Sequence, residues 1–287
     1  MASNGLPGMG WLPDLPDFRD YTPEHPEVAP LVAATKVPKA DALPTSVDLE
    51  QWCAPIEDQG QIGSCTANAA VGLVEYFERK AFGRHVDASR LFVYKATRNL
   101  LRMTGDTGAF LRSAMGALVL FGAPPEEYWP YDTSKFDEEP PAFCYAFAQS
   151  FQAVKYLRLD PPGASPDETL HQVKSFLASG LPSMFGFTVY SSIRQADDGR
   201  IPVPVEGEKV EGGHAIVAVG YDDSATIENK GNGTRASGAF KIRNSWGTEW
   251  GDHGYGWLPY DYVTKGIAED WWTLITNEWV ETGVFAE

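Results

Sequence analysis

The chain has 287 residues, of which 43% are hydrophobic and 22% are charged, and it carries a formal net charge of −16. This length and composition are typical of a globular protein that forms one large domain or two closely packed lobes. The acidity argues against nucleic acid as the main partner, because phosphate binding needs basic stripes and the sequence has none. No window approaches the roughly 18 apolar residues of a membrane span, so no membrane partner is expected either.

The first 41 residues form a proline-rich arm. Its prolines exclude a long helix and predict an extended segment. Five apolar residues predict that the arm packs on the body of the protein: Trp11, Leu12, Leu15, Phe18 and Tyr21. The arm does not begin with a basic stretch followed by an apolar one, so we expect no signal peptide and a cytoplasmic location, although export by another route stays open.

A glycine-rich stretch leads into a predicted helix whose first residue is Cys65. The stretch runs from Asp58 to Ser64, and the apolar spacing after it predicts a helix from Cys65 to about Ala81. A thiol in the first turn of a helix meets unpaired N–H groups and the positive end of the dipole, which lower its pKa. Taken alone, a small buried cysteine at a helix start fits this stretch equally well.

The middle of the chain predicts helices first and strands later. The predicted elements are helices at Ser89–Leu101 and Ala109–Phe121, a strand at Phe151–Leu159, a helix opened by the capping box Ser165–Glu168 and closed by Gly180, and a strand at Leu181–Tyr190. This order predicts the α+β class with segregated lobes.

Two apolar segments further along the chain each have a polar residue at one end. The first begins at His214 and reads as a buried strand, and the second runs from Ala239 to Asn244. A polar loop from Asp222 to Gly238 is expected to join them. If the two strands pair antiparallel, the start of the first meets the end of the second, and His214 lies beside Asn244. The aromatic-rich tail from 261 to 284 predicts further strands.

Short blocks of sequence around these residues resemble a known family. The blocks are Gln59-Gly60 before Gly63-Ser64-Cys65, then Gly213-His214-Ala215, then Asn244-Ser245-Trp246-Gly247 with Trp250-Gly251. They resemble the papain-like cysteine peptidases of the bacterial and archaeal type, over roughly residues 43 to 260. His214 follows Cys65 within the roughly 130–150 residues typical of papain. Their order and spacing together are far more specific than any one block.

The resemblance implies a two-lobe papain-like fold with the active-site cleft between the lobes. The arm at 1–41 then resembles a prosegment that lies over the cleft, as in a zymogen, and 42–287 resembles the peptidase domain. Within that domain we expect a helical lobe at about 55–150, a β-barrel-like lobe at about 151–265, and a C-terminal tail that crosses back.

The resemblance also implies a role for each matching residue in the hydrolysis of peptides or proteins. Cys65 would be the nucleophile, His214 the acid and base, Asn244 the residue that orients His214, and Gln59 an oxyanion donor together with the Cys65 N–H. The substrate-binding positions would be Gly108, Ala109, Gly186, Gly213, Ala215 and Trp246, of which Trp246 would cover the histidine–asparagine hydrogen bond. No metal or organic cofactor is implied, since the sequence has no ligand cluster, P-loop or dinucleotide fingerprint.

Several alternatives stay open. The same triad serves a peptide ligase or transamidase, and a catalytically idle homologue would bind peptides without cutting them. The arm either inhibits the enzyme or merely packs on it. Cys53 and Cys144 are expected to be free thiols rather than a disulfide. Ile62 stands where secreted members of the family usually have a disulfide cysteine, which fits a reducing compartment.

Overall fold

A computed structural model describes residues 5–38, 42–151, 155–196 and 198–276. Its helices are α1 (Ala29–Ala34), α2 (Cys65–Phe82), α3 (Arg90–Leu101), α4 (Leu111–Leu120), α5 (Ala142–Ala148), α6 (Pro166–Ala178) and α7 (Asp261–Thr264). Its strands are β1 (Ser46–Asp48), β2 (Lys155–Arg158), β3 (Ser183–Tyr190), β4 (Val210–Glu228), β5 (Arg235–Arg243), β6 (Tyr255–Pro259) and β7 (Ala268–Ile275). Helices thus precede most of the sheet, as the α+β prediction requires.

Helix α2 lies at the centre of the molecule. Its residues from Cys65 to Phe77 are all buried, since it packs against α3 and α4 on one side and against β4 on the other. Buried residues all around a helix are typical of a core helix, because no face of it is left for solvent. The N-terminus of α2 therefore lies where the helical layer meets the sheet.

The sheet is antiparallel and open, and this corrects the expectation of a barrel-like lobe. The strand order is β2-β7-β3-β4-β5-β6, and β1 pairs with β4 beside this path. Within the described residues, the two edge strands of this order do not pair with each other, so the sheet is not closed. Two further expectations fall outside the described residues, namely the strand residues 152–154 and the tail from 277 onward.

The boundaries of several elements differ from the sequence prediction for local reasons. Helix α4 begins at Leu111, because Ala109 is extended and pairs with the N-terminal arm. Strand β4 continues to Glu228 and β5 starts at Arg235, so most of the predicted loop from Asp222 to Gly238 is a long hairpin. The capping box at Ser165 and Glu168 forms as predicted.

The arm docks on the body in two places. Trp11 is buried between the helical layer and the sheet, and Val28, next to the short helix α1, is fully buried. Between them the chain loops outward, and Leu15 and Phe18 are 84% and 91% exposed, contrary to the expectation that they pack. None of the helices in the described ranges has the length and apolar character needed to cross a membrane.

Candidate active site

Cys65 is the first residue of α2 and is completely buried. Ser64 occupies the N-cap position, but its side chain does not cap the helix. Its Oγ instead lies 2.5 Å from the Tyr131 hydroxyl and accepts a hydrogen bond from Asn68 Nδ2 at 3.0 Å. These bonds fix the turn that aims the Cys65 side chain toward the sheet.

His214 and Asn244 meet because β4 and β5 pair antiparallel, as the sequence predicts. The register places Val217 opposite Arg243, so the residues toward the start of β4 lie beside the end of β5. His214 Nε2 lies 2.8 Å from Asn244 Oδ1, and this oxygen also accepts the Ser245 backbone N–H at 2.8 Å. Because Oδ1 is an acceptor, the hydrogen bond places the proton on Nε2 in the neutral imidazole.

The other ring nitrogen of His214 is free to act on a partner in the cleft. Nδ1 is buried and has no hydrogen-bond partner among the described residues. The backbone N–H of the next residue, Ala215, faces the Cys65 sulfur, so the imidazole and the thiol lie on the same stretch of the cleft.

Trp246 covers the imidazole. Its ring stacks on that of His214 with the centroids 4.5 Å apart and an angle of 23° between the planes. Trp250 packs edge-on against Trp246 at 5.6 Å. The two indoles keep water from the hydrogen bond between His214 and Asn244, which is stronger for being in a low-dielectric environment.

Gln59 directs its amide N–H into the cleft. Its Oε1 accepts the Ser245 hydroxyl at 2.6 Å, and its Nε2 donates to the carbonyl oxygens of Ile62 at 3.0 Å and Gly8 at 2.9 Å. The two backbone carbonyl oxygens can only accept, so they settle which end of the amide is the donor. A backbone carbonyl of the arm thus already lies on the side-chain N–H that the sequence suggests as an oxyanion donor.

The pKa of the Cys65 thiol is raised and not lowered as the sequence predicts. Burial raises the pKa of the Cys65 thiol to about 11, and the N–H groups of Ala215 and Gly10 that face the sulfur oppose this rise only partly. Burial likewise lowers the pKa of His214 to about 4, against the hydrogen bond to Asn244. With the arm in place, desolvation outweighs the helix terminus, and both groups are neutral near pH 7.

The arm runs along the predicted substrate-binding positions Gly108 and Ala109. The Ala109 N–H donates to the Gly10 carbonyl at 2.8 Å, and the Leu12 N–H donates to the Ala109 carbonyl at 3.0 Å. Gly108 lies so close to Gly10 that a Cβ on it would overlap the backbone of the arm. These bonds are those of a short parallel bridge between Trp11 and Ala109.

The predicted positions Gly186 and Gly213 enclose the Trp11 side chain from the sheet side. A Cβ on Gly186 would overlap the indole ring, and one on Gly213 would lie 3.0 Å from its Cε3. The Trp11 N–H donates to the Gly213 carbonyl at 3.1 Å. All six positions suggested as substrate-binding are therefore near either the arm, the thiol or the imidazole.

Three charged residues at the far end of this pocket escape sequence reasoning. The indole N–H of Trp11 donates to Asp270 Oδ2 at 3.1 Å, and Asp270 pairs with Arg158 at 3.1 Å. Arg112 binds the arm residues Asp14 and Asp20. No motif marks these residues. The sequence does carry a signal for the arm segment that reaches them. The alternation Gly8-x-Gly10-Trp11 is typical of a chain in close backbone contact.

Comparison with known proteins places most of the chain in one family. Residues 43–274 match the family described as papain family cysteine protease. An uncharacterized peptidase C1-like protein of Acanthamoeba polyphaga mimivirus is 35% identical over 224 residues, which are 76% of this chain and 68% of that protein. Cathepsin B-like CP3 of Giardia intestinalis is 30% identical over 234 residues, covering 75% of this chain and 69% of that protein.

Solved structures show the same fold. Xylellain, a cysteine protease from Xylella fastidiosa, superposes with a TM-score of 0.73 at 33% identity, covering 94% of this chain and 96% of its own. Digestive procathepsin L 3 of Tenebrio molitor superposes with a TM-score of 0.62 at 19% identity, covering 85% and 77% of the two chains. The chain belongs to the papain family of cysteine proteases and is a hydrolase of that family.

Proposed function

We propose that this chain hydrolyses peptide bonds with Cys65 as nucleophile, His214 as acid and base, Asn244 as the orienting amide and Gln59 as an oxyanion donor. The observation that carries the proposal is the Gly8 carbonyl on Gln59 Nε2 at 2.9 Å. The cleft therefore binds an extended polypeptide backbone and receives one of its carbonyl groups on a side-chain N–H beside a buried cysteine.

The first half of the reaction transfers the acyl group to sulfur. Once the cleft is open to substrate, the Cys65 thiol loses its proton to His214 Nδ1 and the thiolate attacks the carbonyl carbon. The negative charge moves to the carbonyl oxygen, which accepts hydrogen bonds from Gln59 Nε2 and the Cys65 N–H. The C–N bond then breaks as His214 donates its proton to the leaving amine, and a thioester is left on Cys65.

The second half returns the enzyme to its starting state. His214 accepts a proton from water as the water oxygen attacks the thioester carbonyl, and the same oxyanion donors bind the new negative charge. The C–S bond breaks, the acid product leaves, and the thiolate recovers the proton from His214. Throughout, the bond from Asn244 Oδ1 to Nε2 keeps Nδ1 directed at the reacting atoms.

The same contacts support intramolecular inhibition by the arm. Gly8 lies on Gln59, Gly10 lies against Gly63, and Trp11 bonds to Gly213, so the arm excludes a substrate from the cleft. A Cβ on Gly10 would overlap the Gly63 backbone. Gly10→Ala is therefore expected to expel this stretch of the arm from the cleft while the second docking place around Val28 stays intact.

The test is a peptide-library digest under reducing conditions with the full chain carrying Gly10→Ala, read as new termini by mass spectrometry. The matched variants add Cys65→Ala or Cys144→Ala, since both cysteines are fully buried. We expect cleavage to survive Cys144→Ala and to vanish with Cys65→Ala, whose melting temperature should stay close to that of its parent.

Two outcomes contradict the proposal. Cleavage that survives Cys65→Ala would mean that the nucleophile lies elsewhere. New amide bonds to added amines, in place of hydrolysed termini, would assign the triad to acyl transfer instead.

A further inference from the structure

The pocket that Trp11 fills is more specific than a general apolar hollow. We infer that this pocket selects substrates that carry a neutral aromatic side chain with an N–H donor, an indole above all, at one fixed position close to the cut. The inference rests on the proposed function, because it names the side chain that the same cleft recognises.

The walls of the pocket are shaped for a flat ring. Trp11 is only 4% exposed, and the space taken by its six-membered ring and pyrrole edge is the space where a Cβ of Gly186 would be. On the paired strand, Gly213 lies two residues from Ala215, the partner of Gly186, and its missing side chain also leaves room for the indole ring. A wide flat side chain gains more from this slot than a branched aliphatic one, because its ring packs closely against the backbone of the two glycines.

The end of the pocket provides a single directed acceptor. Asp270 Oδ2 accepts the Trp11 indole N–H at 3.1 Å, while Oδ1 accepts the Trp272 indole N–H at 2.7 Å and contacts Arg158 at 3.1 Å. Asp270 is completely buried and lies at a positive φ of 65°. A carboxylate held in this way by its other oxygen presents one oxygen, Oδ2, as the acceptor for whatever fills the pocket.

Arg158 lies beside Asp270, and a basic side chain in the pocket would be a second cation next to it. Arg158 is 1% exposed, lies against Asp270 and binds Asp160 at 2.9 Å. A lysine or arginine in the pocket would lose its water and lie near this buried guanidinium. A leucine would leave Asp270 Oδ2 without a donor. A site built to bond an N–H discriminates strongly against a side chain that lacks this donor. Discrimination against a side chain that is only one methylene shorter is weaker.

The first experiment compares substrates on the full chain carrying Gly10→Ala. A peptide library that presents tryptophan, 1-methyltryptophan, phenylalanine, leucine or arginine at each position of a constant host is digested, and the cut positions are read by mass spectrometry. We expect tryptophan to be enriched at one position. The kcat/KM of the tryptophan peptide should there exceed that of the 1-methyltryptophan, leucine and arginine peptides by about 10- to 100-fold.

Two matched glycine variants locate the preference. Gly186→Ala should remove the preference for tryptophan over leucine, since the new methyl group fills the slot. Gly212→Ala, whose Cβ would meet Met9 instead of Trp11, should leave the ratio of tryptophan to leucine as it was.

A second experiment needs no turnover, because the arm itself reports on the pocket. Alkylation of Cys65 by iodoacetamide, followed by peptide mapping, measures how often the arm leaves the cleft in the full chain. We expect the rate to rise about tenfold for Trp11→Phe, which loses the N–H, and further for Trp11→Leu and Trp11→Arg. The control Phe18→Leu changes an aromatic residue of the same arm that is 91% exposed, and should leave the rate unchanged.

The outcomes separate this inference from the proposed function. If no peptide is cut but the Trp11 series follows the expected order, the peptidase proposal fails and the pocket preference stands. If peptides are cut and leucine or arginine equals tryptophan at every position, the preference is wrong and the peptidase proposal stands. Equal alkylation rates for Trp11→Phe and the parent chain would also overturn the preference.

Discussion

Cys65 and His214, the two residues that we propose as reacting groups, are both neutral near pH 7 while the arm is in place. Burial raises the pKa of the Cys65 thiol to about 11 and lowers that of His214 to about 4. Departure of the arm would take the Gly10 N–H away from the Cys65 sulfur and admit water to the thiol, which lessens the main cause of its raised pKa. Under the proposed function, uncovering the cleft would open the substrate site and would also favour the thiolate form of Cys65.

Gln59 gives the sharpest prediction at the level of one side chain. In the Gly10→Ala chain, Gln59→Ala should lower kcat by on the order of 10²–10³ with little change in KM, because the donor acts mainly on the oxyanion. Steady-state kinetics with one peptide substrate measure both constants. The control is Gln61→Ala, in the same loop but exposed, which should change neither constant. A kcat for Gln59→Ala close to that of the parent would place the oxyanion donor elsewhere.

Residues whose role depends on the local order of the chain are predictable from the sequence. Cys65 begins a helix because a glycine-rich loop precedes an apolar periodic run, and both are visible in the sequence. Asp270 is invisible by the same means, because its importance comes from Trp11 and Arg158, which are distant in the chain. The lowered thiol pKa was predicted wrongly for the same reason, since the arm that buries the sulfur belongs to another part of the sequence.

The long hairpin of β4 and β5 is the element that assembles the histidine and the asparagine. Its pairing is predictable, because two apolar runs flank a polar stretch and antiparallel strands bring their distant ends together. Its length is not. Residues near Asp222 and Ser237 are polar and read as a loop, yet they continue the ladder out to Glu228 and Arg235, where exposed strands tolerate polar side chains.

Helix α2 carries a buried acid whose titration should govern part of the stability. Glu75 is 3% exposed, and its Oε1 accepts the Ala88 N–H at 3.2 Å. Burial raises the pKa of Glu75 to about 8, although the Arg243 charge opposes the rise. The folded protein thus keeps a proton that the unfolded chain loses near pH 4.5, and stability from this group falls as the pH rises from about 4.5 to 8.

Glu75→Gln should remove this fall. We expect the free energy of unfolding of the variant, relative to that of the parent chain, to rise by roughly 2–4 kcal/mol between pH 5 and pH 8.5. The reason is that the amide keeps the acceptor and cannot ionise. Urea unfolding at the two pH values measures the difference. Glu249→Gln, at an exposed position, serves as the control and should follow the parent. A constant difference between Glu75→Gln and the parent at both pH values would contradict the account.

At the scale of the whole molecule, the arm joins the two layers that form the cleft. Gly10 and Trp11 bond to Ala109 on the helical side and to Gly213 on the sheet side. Further along, Arg112 from α4 binds Asp14 and Asp20, and its guanidinium lies 5.5 Å from the ring of Trp272 in β7. These contacts hold the arm from both layers, and Arg112 also donates to the Leu15 carbonyl at 2.8 Å although the side chains of Leu15 and Phe18 are exposed.

The order of the layers follows from the sequence, but the path of the arm does not. Helices followed by strands predict the α+β class, and the central helix, the second helix and the capping box of α6 all lie where the patterns predict. Proline density predicts only that the arm is extended. Its route depends on backbone contacts with glycines far along the chain, and no local pattern of the arm encodes these contacts. The sheet stays open for a similar reason, since closure depends on strand curvature rather than on composition.

Gly10→Ala is the sharpest test of whether the arm blocks the cleft of a Cys65 peptidase. Cleavage of one peptide is compared in the parent full chain, in Gly10→Ala, and in Gly5→Ala. A Cβ on Gly5 meets no atom within 4 Å, and the strain of an alanine at its positive φ stays at the exposed end of the arm. Backbone overlap at Gly10 should cost about 1–3 kcal/mol, so Gly10→Ala should cleave roughly 5- to 150-fold faster than the parent, and Gly5→Ala at the parent rate. Equal rates for all three chains, or no cleavage by any, would contradict the account.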